Sequence, residues 1–140
     1  MKIYYLVIIL LVSPLIGFSQ AVDSEDEVQE RMPEFIGGQG AMFNFLGENI
    51  QYPEKARLKG KEGKVYVTFV IDKDGTIKDV EALKKVHPLL DAEAVRLIKS
   101  MPKWTPGMQK GEAVAVSYNI PINFTLSGKE KKKLKELKKK

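Results

Sequence analysis

Residues 112–126 read EAVAVSYNIPINFTL, and apolar side chains alternate with small or polar ones through the whole stretch. A period of two residues predicts a β-strand with one buried face and one open face. A sheet that is covered by helices on one side only produces this pattern. Pro121 has no backbone N–H to donate, so we expect this strand to lie at the edge of its sheet, at least near that proline.

Two earlier segments predict an antiparallel hairpin. Residues 64–72 alternate in the same way, and residues 76–83 supply a return strand. Between them lies Asp72-Lys73-Asp74-Gly75, where the glycine can adopt the positive φ that a tight turn needs. The apolar period of the return strand slips at Lys78-Asp79, which predicts a β-bulge. With residues 112–126, the hairpin gives a small antiparallel sheet of three strands.

Helical patterns occupy the segments around these strands. A glycine-rich turn at 37–40 precedes a predicted helix over 41–49, and a short helix is predicted over 54–59. A third helix is predicted over 91–101, with its first residue, an aspartate, as the N-cap. Trp104 follows in a rigid connection and is expected to seal the core. The predicted fold class is α+β, with a small antiparallel three-stranded sheet and helices packed on one face.

The N-terminal part of the chain differs in composition from the middle. Lys2 and the apolar run after it predict a signal peptide over residues 1–19, or a short N-terminal membrane anchor if the segment is not cleaved. Residues 20–34 are acidic and poor in large apolar groups, which predicts a solvated linker. The globular domain is expected over residues 35–127, in an exported protein.

The C-terminal tail is strongly basic. Residues 128–140 hold eight Lys and two Glu, a net charge of +6, whereas the whole chain carries +5. No basic face interleaved with aromatic residues is evident on the fold itself, so no nucleic-acid partner is expected. Leu134 and Leu137 make a thin apolar stripe, which favours a solvated tail. The alternative is electrostatic attachment of Lys129–Lys140 to anionic lipid or to a cell-wall polymer.

Residue types that carry catalysis or hold metals are scarce. The chain has no cysteine and one histidine, His87, which lies in a predicted surface loop. Asp72 and Asp74 fit the hairpin turn better than a calcium site, because the further acids of a calcium loop are missing. The glycines at 37–40 match neither a P-loop nor a dinucleotide-binding motif. The sequence therefore predicts a protein that is not an enzyme, with no metal site and no cofactor.

The order of these segments resembles the C-terminal domain of TonB, the periplasmic protein that couples inner-membrane energy to outer-membrane transporters. The residues that carry the resemblance are Tyr52, Pro53, Gly63, Val65, Val67, Phe69, Asp74, Gly75, Ala94, Pro102, Trp104, Pro106, Gly111, Val114, Pro121 and Phe124. In that family the domain binds the TonB box, a short extended peptide near the N-terminus of an outer-membrane transporter. The peptide adds a strand to the edge of the sheet.

The resemblance implies a periplasmic protein that supports TonB-dependent transport by binding this peptide. By position, the edge would be Ala113–Asn123, with Gln51-Tyr52-Pro53 nearby. The implied peptide-binding residues are Gln51, Tyr52, Pro53, Val114, Val116, Ser117, Tyr118, Asn119 and Pro121. The alternative is a structural or sensor module that forms a homodimer, or binds cell-wall material, through the same fold.

Overall fold

The computed structural model describes residues 30–140, so the predicted signal peptide and residues 20–29 of the predicted linker lie outside the described residues. Four helices and five strands follow one another along the described chain. The helices are α1 Gly38–Asn49, α2 Glu54–Leu58, α3 Pro88–Lys99 and α4 Gly128–Lys138. The strands are β1 Gly63–Ile71, β2 Ile77–Lys84, β3 Gly107–Gln109, β4 Glu112–Val114 and β5 Val116–Phe124.

The main sheet has three antiparallel strands in the order β2-β1-β5, as the sequence predicts. β5 pairs with β1 without interruption, from Gly63 opposite Phe124 to Ile71 opposite Val116. Within the described residues, β1 is the one strand that pairs with β5. β5 is therefore an edge strand, and the expectation based on Pro121 is confirmed.

Helices cover one face of this sheet. The alternate side chains of β1 that face them, from Val65 to Ile71, are fully buried, as are Leu90 and Leu97 of α3. The opposite side chains of β1 and β5 are exposed or half-buried. This division between a covered and an open face confirms the α+β class and explains the alternation of residues 112–126.

The β1–β2 hairpin contains the predicted turn and the predicted bulge. Gly75 has φ +87°, and its N–H donates to the Asp72 carbonyl oxygen at 2.9 Å. The pairing of β1 with β2 shifts by one residue between Thr68 and Val70, and Asp79 there has φ +53°. A second shift lies next to Tyr66. The irregular period of β2 thus results from two interruptions of the ladder.

The prediction of one continuous strand over residues 112–126 was wrong in its first part. Residues 112–114 form β4, which pairs with β3 in a separate two-stranded sheet, where Val114 lies opposite Gly107. Lys110 and Gly111, the two residues between β3 and β4, have φ of +52° and +78°. Two positive φ values in a two-residue loop favour a tight hairpin. Because of this turn, residues 112–114 pair with β3 and not with the main sheet.

The predicted cap of α3 was also wrong. The helix begins at Pro88, and His87 is its N-cap, with Nδ1 accepting a hydrogen bond from Leu89 N at 3.2 Å. Asp91 lies inside the first turn, where Oδ1 accepts from Val86 N at 3.0 Å. A proline at the first helical position costs no hydrogen bond and has a suitable φ, so the helix starts earlier than Asp91.

The chain on both sides of residues 35–127 also forms ordered structure. Arg31 and Glu34, at the end of the predicted linker, exchange backbone hydrogen bonds of 2.7–3.0 Å with Met108 and Thr105. The tail, expected to be solvated, forms α4. Its Ser127 and Glu130 form a capping box, in which Ser127 Oγ accepts from Glu130 N and Glu130 Oε2 accepts from Ser127 N. Serine followed three residues later by glutamate is the sequence signature of this cap.

Candidate functional site: the open edge of strand β5

The two edges of the main sheet differ in their protection against pairing. β2 carries two register shifts and the exposed charged residues Lys78, Asp79 and Glu81. Bulges and charges are common devices against unwanted strand pairing. β5 has nine residues in unbroken register with β1 and bears no charged residue. Within residues 30–140, one edge of the sheet is therefore blocked and the other is open.

The backbone orientation of β5 follows from its proline. Pro121 lies opposite Tyr66 of β1. In an antiparallel pair, successive residues direct their backbone groups alternately toward the partner strand and away from it. Because proline has no N–H for β1, Pro121 occupies an outward position, and Ser117 and Asn119 share its orientation. Their N–H and C=O groups face the open edge, and their side chains are exposed.

Three clefts border β5 and together form what we call the edge groove. The first has a volume of about 210 Å³ and lies between α1 and the end of β5. Its walls are Phe43, Leu46, Gly47, Ile50, Leu97, Pro121, Ile122 and Asn123. Phe43 is 56% exposed, so an aromatic ring of α1 stands beside the open edge without being buried by the chain's own core. Such a ring is available to a bound side chain.

The other two clefts continue along the first half of β5. One, of about 170 Å³, lies between Phe35, Met42, Trp104 and Tyr118. The other, of about 340 Å³, includes Met32, Met108, Val114 and Val116 among its walls. Clefts that accompany an edge strand offer places for the alternate side chains of a strand added to it. The edge groove thus runs from Val116 to Asn123.

Tyr118 connects the groove to the core. Its ring is half-buried and lies 5.2 Å from the Trp104 ring and 5.8 Å from the Phe69 ring, measured between centroids. Trp104 is 4% exposed and packs edge-on against Phe35 at 5.8 Å, which confirms its predicted role in sealing the core. Tyr118 thus packs against the aromatic part of the core and forms the floor of the groove there.

The segment Gln51-Tyr52-Pro53 lies at the far end of β5. The Tyr52 ring packs edge-on against Phe124 at 5.6 Å, and its hydroxyl donates to the Lys61 carbonyl oxygen. Burial raises the pKa of Tyr52. Gln51 N donates to Glu93 Oε2 at 2.6 Å, and Pro53 is the N-cap of α2. These polar groups are occupied within the domain, and none of the three residues lines the clefts of the edge groove.

The structure brings most of the predicted peptide-binding residues together. Five of them lie on β5: Val116, Ser117, Tyr118, Asn119 and Pro121. Val114 pairs with β3, and it lines the same cleft as Val116, the largest of the three. Sequence reasoning missed the contribution of α1, above all Phe43. The sequence signal for it was weak, because Phe43 is one of several apolar residues in its helix, and their period does not show which one is left exposed.

The remaining chemically notable side chains have local structural roles. Asp72 Oδ1 accepts from Lys73 N at 2.8 Å, and Asp74 Oδ1 accepts from Thr76 N at 3.0 Å. The Lys73 N–H lowers the pKa of Asp72, and the Thr76 hydroxyl lowers that of Asp74. Among residues 30–140, no group of three or more His, Asp or Glu side chains is placed to hold a metal ion. In the same range, no helix is long and apolar enough to cross a membrane.

Curated relatives match about half of the chain. The TonB protein of Helicobacter pylori is 32% identical over 82 residues, which are 58% of this chain and 27% of that protein. The TonB protein of Pseudomonas aeruginosa is 38% identical over 66 residues, which are 46% of this chain and 19% of that protein. The chain thus spans about a quarter of the length of the curated relatives that it matches.

Solved structures and a family model complete the comparison. The solution structure of the C-terminal domain of Helicobacter pylori TonB has a TM-score of 0.49 and 25% identity, and it covers 76% of this chain and 86% of its own. The C-terminal domain of Pseudomonas aeruginosa TonB has a TM-score of 0.46 and 29% identity, covering 55% of this chain and 78% of its own. The model of the Gram-negative bacterial TonB protein C-terminal family matches residues 48–126. From this match, over more than half of its length, the chain belongs to the TonB C-terminal family.

Proposed function

We propose that the open edge of β5 binds an extended peptide of an outer-membrane transporter by strand addition, in support of TonB-dependent transport. The observation that carries this proposal is the contrast between the two edges, since β2 is bulged and charged and β5 is regular and uncharged. Membership of the TonB C-terminal family supports the same role. The peptide is the TonB box, and the protein acts as a binding module in the periplasm.

The contacts of such a complex follow from the orientation of β5. Backbone groups of Ser117 and Asn119 would bond the peptide, because they face the open edge, and backbone bonds give affinity that is independent of peptide sequence. Selection would come from side chains that enter the edge groove beside Phe43, Met42 and Val116. The cleft beside Phe43 has largely apolar walls, so the peptide would place an apolar residue there.

The test is an NMR titration of the ¹⁵N-labelled full chain with a TonB-box peptide from the same cell. Amide shifts concentrated on Ser117–Asn123 and on the groove side of α1 are the expected result. An absence of shifts at about millimolar peptide, the weak end of measurable affinity, would overturn the proposal. Shifts over the same residues that depend on protein concentration, with no effect of peptide, would instead establish self-pairing of β5 in a homodimer.

Two substitutions at one position separate backbone binding from side-chain binding. Asn119→Pro removes an outward N–H and leaves the bonds to β1 in place, so it should abolish peptide binding. Asn119→Ala keeps that N–H and should bind the peptide within about threefold of the unchanged chain, since the alanine retains the backbone bond. Equal loss in both variants would contradict strand addition and would favour recognition through the asparagine side chain.

A further inference from the structure

The positive charge of the described chain is concentrated on one surface. Residues 54–62, which contain α2, hold four basic and two acidic side chains, and residues 128–140 hold eight Lys and two Glu. Residues 30–53 and 63–127 together hold ten basic and ten acidic side chains, so they are neutral overall. The surface made by residues 54–62 and 128–140, which we call the basic face, therefore carries the whole net charge of residues 30–140.

Specific polar contacts hold α4 beside α2. Glu130 Oε1 lies 3.3 Å from Arg57 Nε, and Lys131 Nζ lies 3.3 Å from Glu62 Oε1. Glu62 Oε1 also accepts from Leu126 N at 2.7 Å, which ties the chain just before α4 to the residue that precedes β1. The helix is thus placed against the domain, and its other lysines are exposed.

The basic face has an apolar centre that the sequence of the tail does not reveal. A cleft of about 180 Å³ opens between α2 and α4, and its walls include Leu58, Leu134 and Leu137. Leu58 is 56% exposed and Leu137 is 53% exposed, while Leu134 is half-buried. The two leucines of the tail alone form a thin stripe, but Leu58 of α2 broadens it into a patch bordered by Arg57 and Lys133.

We propose that the basic face docks on the surface of a membrane rich in anionic phospholipid. Lysines around the patch contact the phosphates, and the three leucines enter the boundary between headgroups and acyl chains. The leucines decide between this partner and other polyanions, because a nucleic acid or a cell-wall polymer offers no apolar medium to them. The edge groove shares none of these residues, so this inference is independent of peptide binding at β5.

A fluorescent probe at the patch tests this docking in the full chain. The chain has no cysteine, so Leu137→Cys creates a unique attachment point for a polarity-sensitive dye. Leu83→Cys is the matched control, because Leu83 is 59% exposed and lies on β2. With vesicles of phosphatidylcholine containing about 30% phosphatidylglycerol, a blue shift is expected at position 137 and not at position 83. Vesicles of phosphatidylcholine alone should give no shift at either position.

The electrostatic contribution to membrane docking is tested by replacing lysines with glutamine in the dye-labelled chain. Lys129→Gln, Lys132→Gln and Lys133→Gln together should raise the lipid concentration for half-maximal shift about tenfold or more, because each basic residue near an anionic surface contributes attraction. Lys73→Gln, Lys85→Gln and Lys103→Gln make the same charge change on the neutral part of the molecule and should leave the titration unchanged. Raising the salt from about 0.05 M to about 0.5 M should also weaken the shift.

Three results would overturn the proposal. One is a shift at position 137 that is equally large on phosphatidylcholine alone. Another is an equal effect of the two triple-lysine variants. The third is the absence of any shift at position 137 on anionic vesicles. If the lysines then bind the chain to isolated cell wall, the partner of the basic face is a cell-wall polymer and the membrane proposal is wrong.

Discussion

Trp104 N donates a hydrogen bond of 2.9 Å to the carbonyl oxygen of Gly75, so the connection after α3 rests on the turn of the β1–β2 hairpin. The approach leaves no room for a side chain, because a Cβ on Gly75 would lie 2.0 Å from the Trp104 carbonyl oxygen. Gly75 also has φ +87°, a conformation that residues with a side chain adopt at a cost. The position of Trp104 beneath the edge groove thus depends on a glycine in a distant turn.

Gly75→Ala should lower the free energy of unfolding by about 3 kcal/mol or more, because backbone strain and a clash with a carbonyl oxygen act together. Gly40→Ala is the matched control: Gly40 is helical, and nothing lies within 4 Å of its Cβ position. That change should stabilise the protein by about 0.5–1 kcal/mol. Urea denaturation measures both changes. A Gly75→Ala protein that unfolds at the same urea concentration as the unchanged chain would refute the importance of this contact.

Glu93 holds the segment before α2 in place. It is 7% exposed, and its Oε2 accepts from Gln51 N at 2.6 Å and from Arg96 Nη2 at 2.9 Å. Glu93→Ala leaves the Gln51 N–H without its acceptor and should lower the free energy of unfolding by about 2 kcal/mol. Glu81→Ala, at an exposed carboxylate on β2, should change it by less than about 0.5 kcal/mol. Thermal unfolding of the two proteins provides the comparison, and equal melting temperatures would disprove the expected role of Glu93.

Acid should release α4 from the domain before the sheet unfolds. The hydrogen bond from Leu126 N lowers the pKa of Glu62, and that from Ser127 N lowers the pKa of Glu130, each from a usual value of 4.5. A carboxyl group whose pKa is lower in the folded protein than in the unfolded one stabilises the folded state at pH values above its unfolded-state pKa. This stabilisation is lost as the pH falls through the folded-state pKa. The protection factors of the α4 amides, which are corrected for the intrinsic exchange rate at each pH, should therefore fall below about pH 4.5, while those of β1 stay high.

Glu62→Gln provides the control for the acid experiment. Glutamine keeps an acceptor for Leu126 N but cannot form the ion pair with Lys131, so part of the loss of protection should already be present at neutral pH. Protection of α4 that stays constant from pH 7 to about pH 3, where most carboxyls are protonated, would show that the carboxylates do not hold the helix.

Phe43 should contribute to peptide affinity more than to stability. Its ring is 56% exposed and lines the edge groove beside Pro121. If the proposed function is correct, Phe43→Ala should raise the Kd of the peptide about fivefold or more, because exposed aromatic residues often dominate binding. The free energy of unfolding should change by less than about 1 kcal/mol, since little of the ring is buried by the fold. Isothermal titration calorimetry measures the Kd.

Leu83→Ala is the matched control for that experiment, because Leu83 is equally exposed but lies on the blocked edge at β2. Its peptide Kd should stay within about twofold of the unchanged chain, as for a residue outside the interface. An equal loss of affinity in both variants would indicate a general effect on folding. Unchanged affinity in the Phe43 variant would show that the cleft beside α1 does not contact the peptide.

Local patterns predicted a large part of this fold. The alternation of residues 64–72 and 116–124 gave the buried faces of β1 and β5, because successive strand side chains point to opposite faces. The turn at Gly75 and the bulge at Asp79 were correct for the same reason, since each depends on a few neighbouring residues. The errors at Asp91 and at residues 112–114 arose where a second local signal, Pro88 or the Lys110-Gly111 turn, decided the outcome.

By itself, the sequence determined the strand faces, the hairpin, the edge position of β5 through Pro121 and the basicity of the tail. Tertiary structure alone decided that Phe43 stands beside Pro121 and that Leu58 joins Leu137 on the basic face. The physical reason is the range of the interactions. Strand period and turn geometry follow from the covalent chain and its nearest residues. A groove between α1 and β5 depends on packing between residues that are far apart in the chain, and no local pattern specifies which of them will meet.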